Sequence, residues 1–152
     1  MTTLLTLLKP SDPCLFTGYR NPALANRPDI YQSIGHWFES EKFRGVDEAL
    51  RQEVLEQPTA KEARKLGSRH PDEIRPNWRT IRAQVLRTGF FMAARQNPSV
   101  AIIFAELAQL TSLELGTWLD PAGKIEGYEM AFYCGVQWEA ADCMRTGPAG
   151  SC

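Results

Sequence analysis

The segment His36–Phe43, which reads His-Trp-Phe-Glu-Ser-Glu-Lys-Phe, places several ionisable side chains among three aromatic rings. Residues three or four positions apart share one face of a helix, so Phe38 and Lys42 align. Burial of the rings would leave Lys42 or Glu41 at the edge of the core. A partly desolvated lysine can act as a nucleophile toward a sugar carbonyl, and a desolvated glutamate can act as a general acid. Alternatively, Glu39, Glu41 and Lys42 form the solvated face of an amphipathic helix.

Capping residues predict the helix that carries this segment and the helix that follows it. Ser33 is a suitable N-cap, and Gly45 is a suitable stop signal. Asp47 begins a second helix, which Pro58 ends because proline interrupts helical hydrogen bonding. Its apolar residues recur at four-residue steps, as one buried face requires: Val46, Leu50 and Val54.

Three further helices are predicted in the middle of the chain. The capping-box spacing of Thr59 and Glu62 starts the first, Gly67 closes it, and a polar loop follows. The longest helix opens at residues 76–78. Asn97-Pro98 ends that helix and starts another, which continues to residue 108. The apolar face predicted for the longest helix comprises Trp78, Ile81, Val85, Thr88, Gly89, and Phe91 or Met92.

The predicted β structure is small. Residues 14–19 fit a short strand, and residues 2–8 are a second candidate. Residues 118–123 are typical of a turn, whereas residues 129–139 fit either a strand or a short helix. The tail at 146–152, rich in glycine and small residues, is predicted to be disordered.

These elements predict the fold class. We expect a mainly α (α+β) protein, with a single compact domain of about five helices and a small β element over residues 1–145. The length of 152 residues is that of one domain, and such a chain can bury a core without disulfides or a structural metal.

The charge of the chain is unevenly distributed. Residues 61–95 contain nine Lys or Arg and three acidic residues, or +6, whereas the remainder contains 8 bases and 15 acids, or −7. The two parts sum to the net charge of −1. A basic middle in an acidic frame suits a phosphate-bearing small molecule, whereas nucleic-acid binders usually carry a basic balance over the whole domain. The alternative is a solvated basic helix face.

The cysteines and the hydropathy pattern predict a cytoplasmic protein without a metal or other cofactor. None of the four cysteines forms a CxxC pair, and both histidines, His36 and His70, lie far from them in the sequence, so zinc-site spacing is absent. We therefore expect reduced thiols. The apolar runs are shorter than the ~20 residues of a membrane-spanning helix, and the first residues do not fit a signal peptide.

Several motifs together resemble the YbiA-like or NADAR family. The clearest is Ser-Ile-Gly-His-Trp-Phe-Glu-Ser-Glu-Lys-Phe at 33–43, similar to Thr-Ser-Glu-His-Tyr-Phe-Gln-Ala-Gln-Lys-Phe of the family. The order and spacing match over roughly residues 14 to 110. The other matching motifs are Phe-Thr-Gly-Tyr at 16–19, Ala-Lys-Glu-Ala-Arg-Lys-Leu-Gly at 60–67, Arg-Pro-Asn-Trp at 75–78, Val-Leu at 85–86 and Gln-Asn-Pro at 96–98.

The resemblance implies a YbiA-like domain with N-glycosidase activity on ribose attached to a base or a base-derived amine. Lys42 would attack or polarise C1 of the sugar, and Glu41 or Glu39 would handle the proton. Trp78 would stack on the base, or else anchor the core, and His36 is equally well explained as a buried, hydrogen-bonded histidine. The remaining candidate ligand-binding residues are Tyr19, Arg20, Trp37, Arg64, Arg69, Trp118 and Asp120, with Arg75 as a further candidate for a phosphate contact.

Departures from the family pattern keep other functions open. Gly35 stands where the family has a glutamate, and Glu39 and Glu41 stand where it has glutamines. The closing Trp-Gly-x-Gly motif is not recognisable, and Trp118-Leu119-Asp120 is its nearest candidate. Cleavage of a glycosidic bond requires a proton donor. From the resemblance, the first hypothesis is an N-glycosidase for a ribose-phosphate or ADP-ribose-type nucleotide. The second is an inactive member that binds a nucleotide or a protein, and nucleic-acid binding through 61–95 ranks last.

Overall fold

A computed structural model describes residues 8–9, 11–21, 27–109 and 135–143 of the chain, with the backbone alone at 19–21. These residues are mainly helical with a small two-stranded sheet, as the sequence predicts. The expectations for a turn at 118–123 and a tail at 146–152 lie outside the described residues, and so does the strand expected at 2–8 apart from Leu8, which is not in a strand.

The described residues fall into two compact units. The larger unit is Lys9–Asn97, and its elements in chain order are β1 (Phe16–Asn21), β2 (Arg27–Tyr31), α1 (Ile34–Glu41), α2 (Glu48–Glu56), α3 (Ala60–Ser68), a 3-10 turn (Pro71–Glu73) and α4 (Trp78–Gln96). The smaller unit combines Leu8 with the described residues 98–109 and 135–143. It contains α5 (Pro98–Leu107) and a helical segment at 135–143.

The two strands form an antiparallel hairpin whose β1 edge is closed by the end of α4. Phe16 is opposite Tyr31, and the register shifts between Thr17 and Arg20. The Gln96 side chain makes the two hydrogen bonds that a neighbouring strand would make to Thr17. Its Oε1 accepts from the Thr17 N–H at 2.7 Å, and its Nε2 donates to the Thr17 carbonyl at 2.8 Å. Strand β1 begins two residues later than predicted.

Helix α1 is the central element of the larger unit and packs against α2, α3, α4 and the hairpin. The Ser33 side chain accepts from the His36 N–H, so the predicted N-cap is confirmed. The helix ends at Glu41, and a turn then leads to Gly45, whose φ of 78° favours glycine. The predicted stop at Gly45 is therefore wrong by one turn, because the backbone leaves the helix before reaching the glycine.

Helices α2 and α3 begin at the predicted caps. The Asp47 carboxylate accepts from the Leu50 N–H at 3.0 Å, and the Thr59 hydroxyl accepts from the Glu62 N–H at 3.2 Å. Helix α3 continues one residue past Gly67. The predicted contribution of Val46 to the buried face of α2 is wrong, because Val46 precedes the helix and is 50% exposed. A cluster between these helices contains Phe43, Leu50, Val54 and Ala63, with Leu66 and Ile74 packed against it.

Helix α4 begins at Trp78 and ends at Gln96, close to the predicted limits, but most of its predicted face is wrong. Ile81, Val85 and Thr88 are half-buried, and so are Phe91 and Met92. Apolar residues lie on several sides of this helix, so periodicity did not identify the packed side, which is set by contact between Gly89 and Trp37. The fully packed positions are Trp78, Leu86, Gly89, Phe90, Ala93 and Ala94.

The smaller unit contains one confirmed helix and one correction. Helix α5 begins at Pro98 as predicted. The described part of the ambiguous segment, from 135 onward, is helical, and the buried Gln137 amide bonds to both the N–H and the carbonyl of Leu8. The expectation of reduced thiols is wrong for Cys143, which is disulfide-bonded, since spacing along the sequence does not report spatial neighbours. Cys14 is a free, buried thiol.

Within the residues that the structure describes, none of the helices has the length and apolar character needed to cross a membrane.

Candidate active site

Helix α1 is buried on almost every side, and Phe38 and Lys42 form its one partly exposed stripe. Lys42 Nζ donates to Glu39 Oε2 at 2.6 Å, with side-chain exposures of 20% and 9%. The same ammonium group lies 5.9 Å from the centroid of the Phe38 ring. The Phe38 ring in turn packs against Trp78, with 5.0 Å between the ring centroids. A carboxylate, an amine and an aromatic surface therefore meet at one accessible edge, which we call the Lys42 edge (Phe38, Glu39, Lys42 and Trp78).

Helix α3 borders the Lys42 edge through a glycine. A Cβ atom added at Gly67 would lie 3.6 Å from Glu39 Oε2 and 3.4 Å from the Phe43 ring. The absence of a side chain at Gly67 therefore leaves room beside the carboxylate that pairs with Lys42. The predicted phosphate ligands Arg64 and Arg69 are exposed, on α3 and at its C-cap respectively.

Glu41 points away from Lys42, into a buried ionic network. Both of its carboxylate oxygens accept from Arg44 Nε at 2.8 Å, and Arg75 Nη1 lies 3.7 Å from Oε2. Its side chain is 4% exposed. Of the two carboxylates proposed to handle a proton, the structure therefore brings only Glu39 together with Lys42.

The same network continues into α2 and β2. Arg51 Nη1 bonds Asp29 Oδ2 at 2.9 Å, and both side chains are almost completely buried, at 1% and 2% exposure. Arg51 Nε also bonds Glu48 Oε2 at 2.6 Å. With three arginines and three carboxylates, the network is neutral, as burial of charges demands. We call it the buried network (Asp29, Glu41, Arg44, Glu48, Arg51 and Arg75).

Ionisation in the buried network follows from its contacts. Burial, then the charges of Asp29 and Glu41, raise the pKa of the Tyr31 phenol, which lies against the network. Although burial opposes ionisation of Glu48, hydrogen bonds from the Gly45 N–H and Arg51 lower the pKa of that carboxyl. Burial also acts against the charge of Arg44, but its hydrogen bond to Glu41 raises the pKa of the guanidinium. Burial and the nearby carboxylates thus favour the neutral phenol of Tyr31 in the native state.

His36 is a structural residue of α1. Its Nε2 donates to the Gln57 carbonyl at 2.8 Å, since a carbonyl oxygen can only accept, and its Nδ1 lies in hydrogen-bond contact with the Ser33 hydroxyl at 2.7 Å. Both ring nitrogens are therefore occupied by contacts that join the start of α1 to the end of α2. His36 is therefore a buried, hydrogen-bonded histidine, as one of its two interpretations from the sequence expected.

The two predicted tryptophans have different surroundings. Trp37 is 1% exposed, packs edge-on against Tyr31, and donates from its indole N–H to the Val85 carbonyl at 2.7 Å, so it is a core residue. Trp78 is 9% exposed and packs against Phe38, so it is largely buried and borders the Lys42 edge through the Phe38 ring.

Four of the predicted ligand-binding side chains lie outside the described part of the structure. Tyr19 and Arg20 belong to β1, and their side chains are outside the described part of the structure. Trp118 and Asp120 lie outside the described residues. Gly35, which replaces the glutamate of the resembled family, is buried in the first turn of α1.

Sequence reasoning missed the buried network and Gly67. A signal for part of the network exists in the sequence, because Glu41 and Arg44, like Glu48 and Arg51, are spaced three apart. Asp29 has no local signal, since it is 22 positions from Arg51. Among the described residues, no group of three His, Cys, Asp or Glu side chains is gathered as a metal ion would require.

Comparisons with protein-family models, with curated proteins and with solved structures found no match to this chain.

Proposed function

We propose that the chain is a divergent YbiA-like N-glycosidase that cleaves the bond between ribose and a base or base-derived amine. The observation that carries the proposal is the 2.6 Å pair of Lys42 Nζ and Glu39 Oε2 at the partly exposed edge of a buried helix. This pair supplies a nucleophile and a proton donor from residues one turn apart. Glu39, not Glu41, has the acid–base role.

The pair can perform the reaction by moving one proton. Transfer of a proton from Lys42 to Glu39 produces a neutral amine and a carboxylic acid. The amine attacks C1 of the ribose as the C1–N bond breaks, and the departing nitrogen takes the proton from Glu39. The Glu39 carboxylate then removes the extra proton from Nζ, which is now bonded to C1. Glu39 returns this proton to the ring oxygen as the bond between C1 and that oxygen breaks, which leaves an iminium ion between C1 and Nζ. Water adds to C1, Glu39 takes up the proton that the water releases, and the C1–Nζ bond breaks to give the free sugar and the lysine.

The surroundings of the pair favour a phosphorylated ribose substrate. The partly exposed Phe38 ring, which packs against Trp78, offers an apolar surface to a base. Arg64 is exposed on α3, the helix whose Gly67 borders Glu39, and Arg69 is exposed at the C-cap of that helix. A guanidinium group can bind a phosphate through two parallel hydrogen bonds. An ADP-ribose-type nucleotide or a ribose 5-phosphate derivative combines these features.

The test is a ligand titration followed by product analysis. Thermal unfolding would be recorded with ADP-ribose, NAD, ribose 5-phosphate and nucleoside monophosphates, because a ligand at 100 times its dissociation constant stabilises the native state by ~2.7 kcal/mol. Release of the base and borohydride trapping of a sugar on Lys42 are the expected results. Lys42→Ala should abolish turnover and keep the fold, while Lys9→Ala, at an exposed lysine of the same unit, should keep full activity. Full activity in Lys42→Ala would contradict the mechanism.

A second candidate function is binding without catalysis. It is favoured by Gly35, a buried residue of α1, because glycine lacks the carboxylate that the resembled family has at this position. The same titration separates the two functions. A thermal shift with the ligand recovered intact would identify a nucleotide-binding module, and no shift with any of the nucleotides would favour a protein partner.

A further inference from the structure

Arg75 lies beside the Lys42 edge but is engaged by the protein itself. Its backbone N–H donates to the Lys42 carbonyl at 2.8 Å, and its Nη1 donates to the Glu41 carbonyl at 3.5 Å. Its Nε donates to Asn77 Oδ1 at 3.3 Å. One residue of the loop before α4 therefore contacts two successive carbonyl groups at the C-terminal end of α1.

These contacts supply what the end of a helix lacks. The last carbonyls of a helix have no partners within it and must find them elsewhere. A cation near the C-terminus is also favoured by the helix dipole. The neighbouring Ile74 packs against the cluster of Phe43, Leu50, Val54 and Ala63, which fixes the loop on the core. Arg75 thus joins the loop and the start of α4 to the turn of α1 that bears Lys42.

We propose that Arg75 is a positioning residue for the Lys42–Glu39 pair and not a phosphate ligand. The proposal rests on the proposed function for its kinetic consequence. Arg75 holds the Lys42 backbone and the Glu41 carboxylate in place, so the outward direction of Lys42 and the inward direction of Glu41 are maintained together. Its side chain is 23% exposed, and its guanidinium group is directed to Glu41 and Asn77.

The kinetic test separates positioning from phosphate binding. Arg75→Ala and Arg75→Lys would be compared with Arg95→Ala, an exposed residue at the other end of α4, about 25 Å along the helix at 1.5 Å per residue. Displacement of a reacting group by about 1 Å can cost ~100-fold in rate, so we expect kcat to fall about 10- to 100-fold and KM to change little. Arg75→Lys keeps the charge but not the forked geometry, and should restore only part of kcat.

A chemical readout tests the same proposal without any substrate. Wild-type and variant proteins would be treated with a limiting amount of acetic anhydride, and acetylation of Lys42 relative to Lys9 would be measured by mass spectrometry. Release of the α1 end should raise the rate at Lys42 in Arg75→Ala, and less in Arg75→Lys, with no change in Arg95→Ala. If Arg75→Ala does not fold, Arg75→Lys decides the outcome.

Two results would overturn the positioning role. One is an unchanged acetylation rate at Lys42 in both Arg75 variants. The other is a rise in KM for a phosphorylated substrate with kcat unchanged, which is the signature of a phosphate contact. Absence of glycosidase activity in the wild-type protein would instead contradict the proposed function, and the acetylation rates would still decide the role of Arg75.

Discussion

The two sides of α1 contain the same kinds of residue in different surroundings. On the buried side, Trp37 and Glu41 contact the core and the buried network, and their side chains have little exposed surface. On the other side, Phe38 and Lys42 are partly exposed, and Glu39 pairs with Lys42 across one turn. Both sides contain an aromatic residue and an acid paired with a base three positions later. Exposure, not residue type, separates the side that stabilises the fold from the side that can meet a ligand.

The energetic contrast follows from desolvation. An ion pair near the surface contributes about 0–1 kcal/mol, because water screens the attraction and solvates either partner left alone. A buried charge that loses its partner cannot be solvated, so the loss is several times larger. Loss of a partner in the Asp29–Arg51 pair, where both side chains are almost completely buried, should therefore cost the most stability, whereas substitution of Lys42, which is 20% exposed, should cost less stability and chiefly change activity.

The largest expected effect comes from Asp29→Ala. It leaves Arg51 buried without its 2.9 Å partner, and should lower the free energy of unfolding by about 3–5 kcal/mol. Urea denaturation would measure the loss. The matched control is Glu48→Gln, since Glu48 also pairs with Arg51 but is 52% exposed, and about 0–1 kcal/mol is expected there. Equal losses in both variants would contradict the contrast between buried and exposed partners.

Alanine at two helical glycines should have opposite effects. A Cβ at Gly89 would overlap Trp37, whose ring is buried and held by its bond to Val85, so Gly89→Ala should cost about 1–3 kcal/mol through overpacking. A Cβ at Gly67 makes an ordinary contact with Phe43, so Gly67→Ala should stabilise the protein by up to about 1 kcal/mol through helix propensity. Thermal unfolding of both variants checks the signs, and stabilisation by Gly89→Ala would show that Trp37 can move.

The smallest effect at neutral pH is expected from Tyr31→Phe. The phenol accepts from Arg44 at 3.4 Å and donates to Asp29 at 3.5 Å, long bonds that together contribute about 1 kcal/mol or less. Burial raises the pKa of Tyr31 in the native state, so the unfolded chain releases this proton first as the pH rises. Stability should be complete below about pH 10 and fall above it. The fall should be shallower in Tyr31→Phe, and identical slopes in the two proteins would contradict the prediction.

Local signals located the helices well. Ser33, Asp47 and Thr59 are N-caps because each side chain satisfies an N–H within three residues of itself, which needs no information from the rest of the chain. The packed face of α4 could not be found in this way. Its apolar residues surround the helix, and the choice of Gly89 and Phe90 over Ile81 and Val85 depends on where Trp37 lies.

The candidate site was predicted in part for the same reason. The 36–43 segment predicted that Lys42 or Glu41 would lie at the edge of the core. The structure has Lys42 there, paired with Glu39, whereas Glu41 is buried. The sequence did not distinguish Glu39 from Glu41, because each is followed three positions later by a basic residue. The structure separates them through Arg75, which comes from a distant loop to meet Glu41.

By itself, the amino-acid sequence determined the predominantly helical class, the start of each helix from α1 to α4, and the meeting of acid, base and aromatic residues near Lys42. These features depend on spacings of a few residues, over which backbone geometry is known. Only the tertiary structure decided which carboxylate faces Lys42, that His36 and Trp37 are buried structural residues, and that Asp29 pairs with Arg51. These outcomes depend on which distant segments pack together, and burial then sets the cost of every charge.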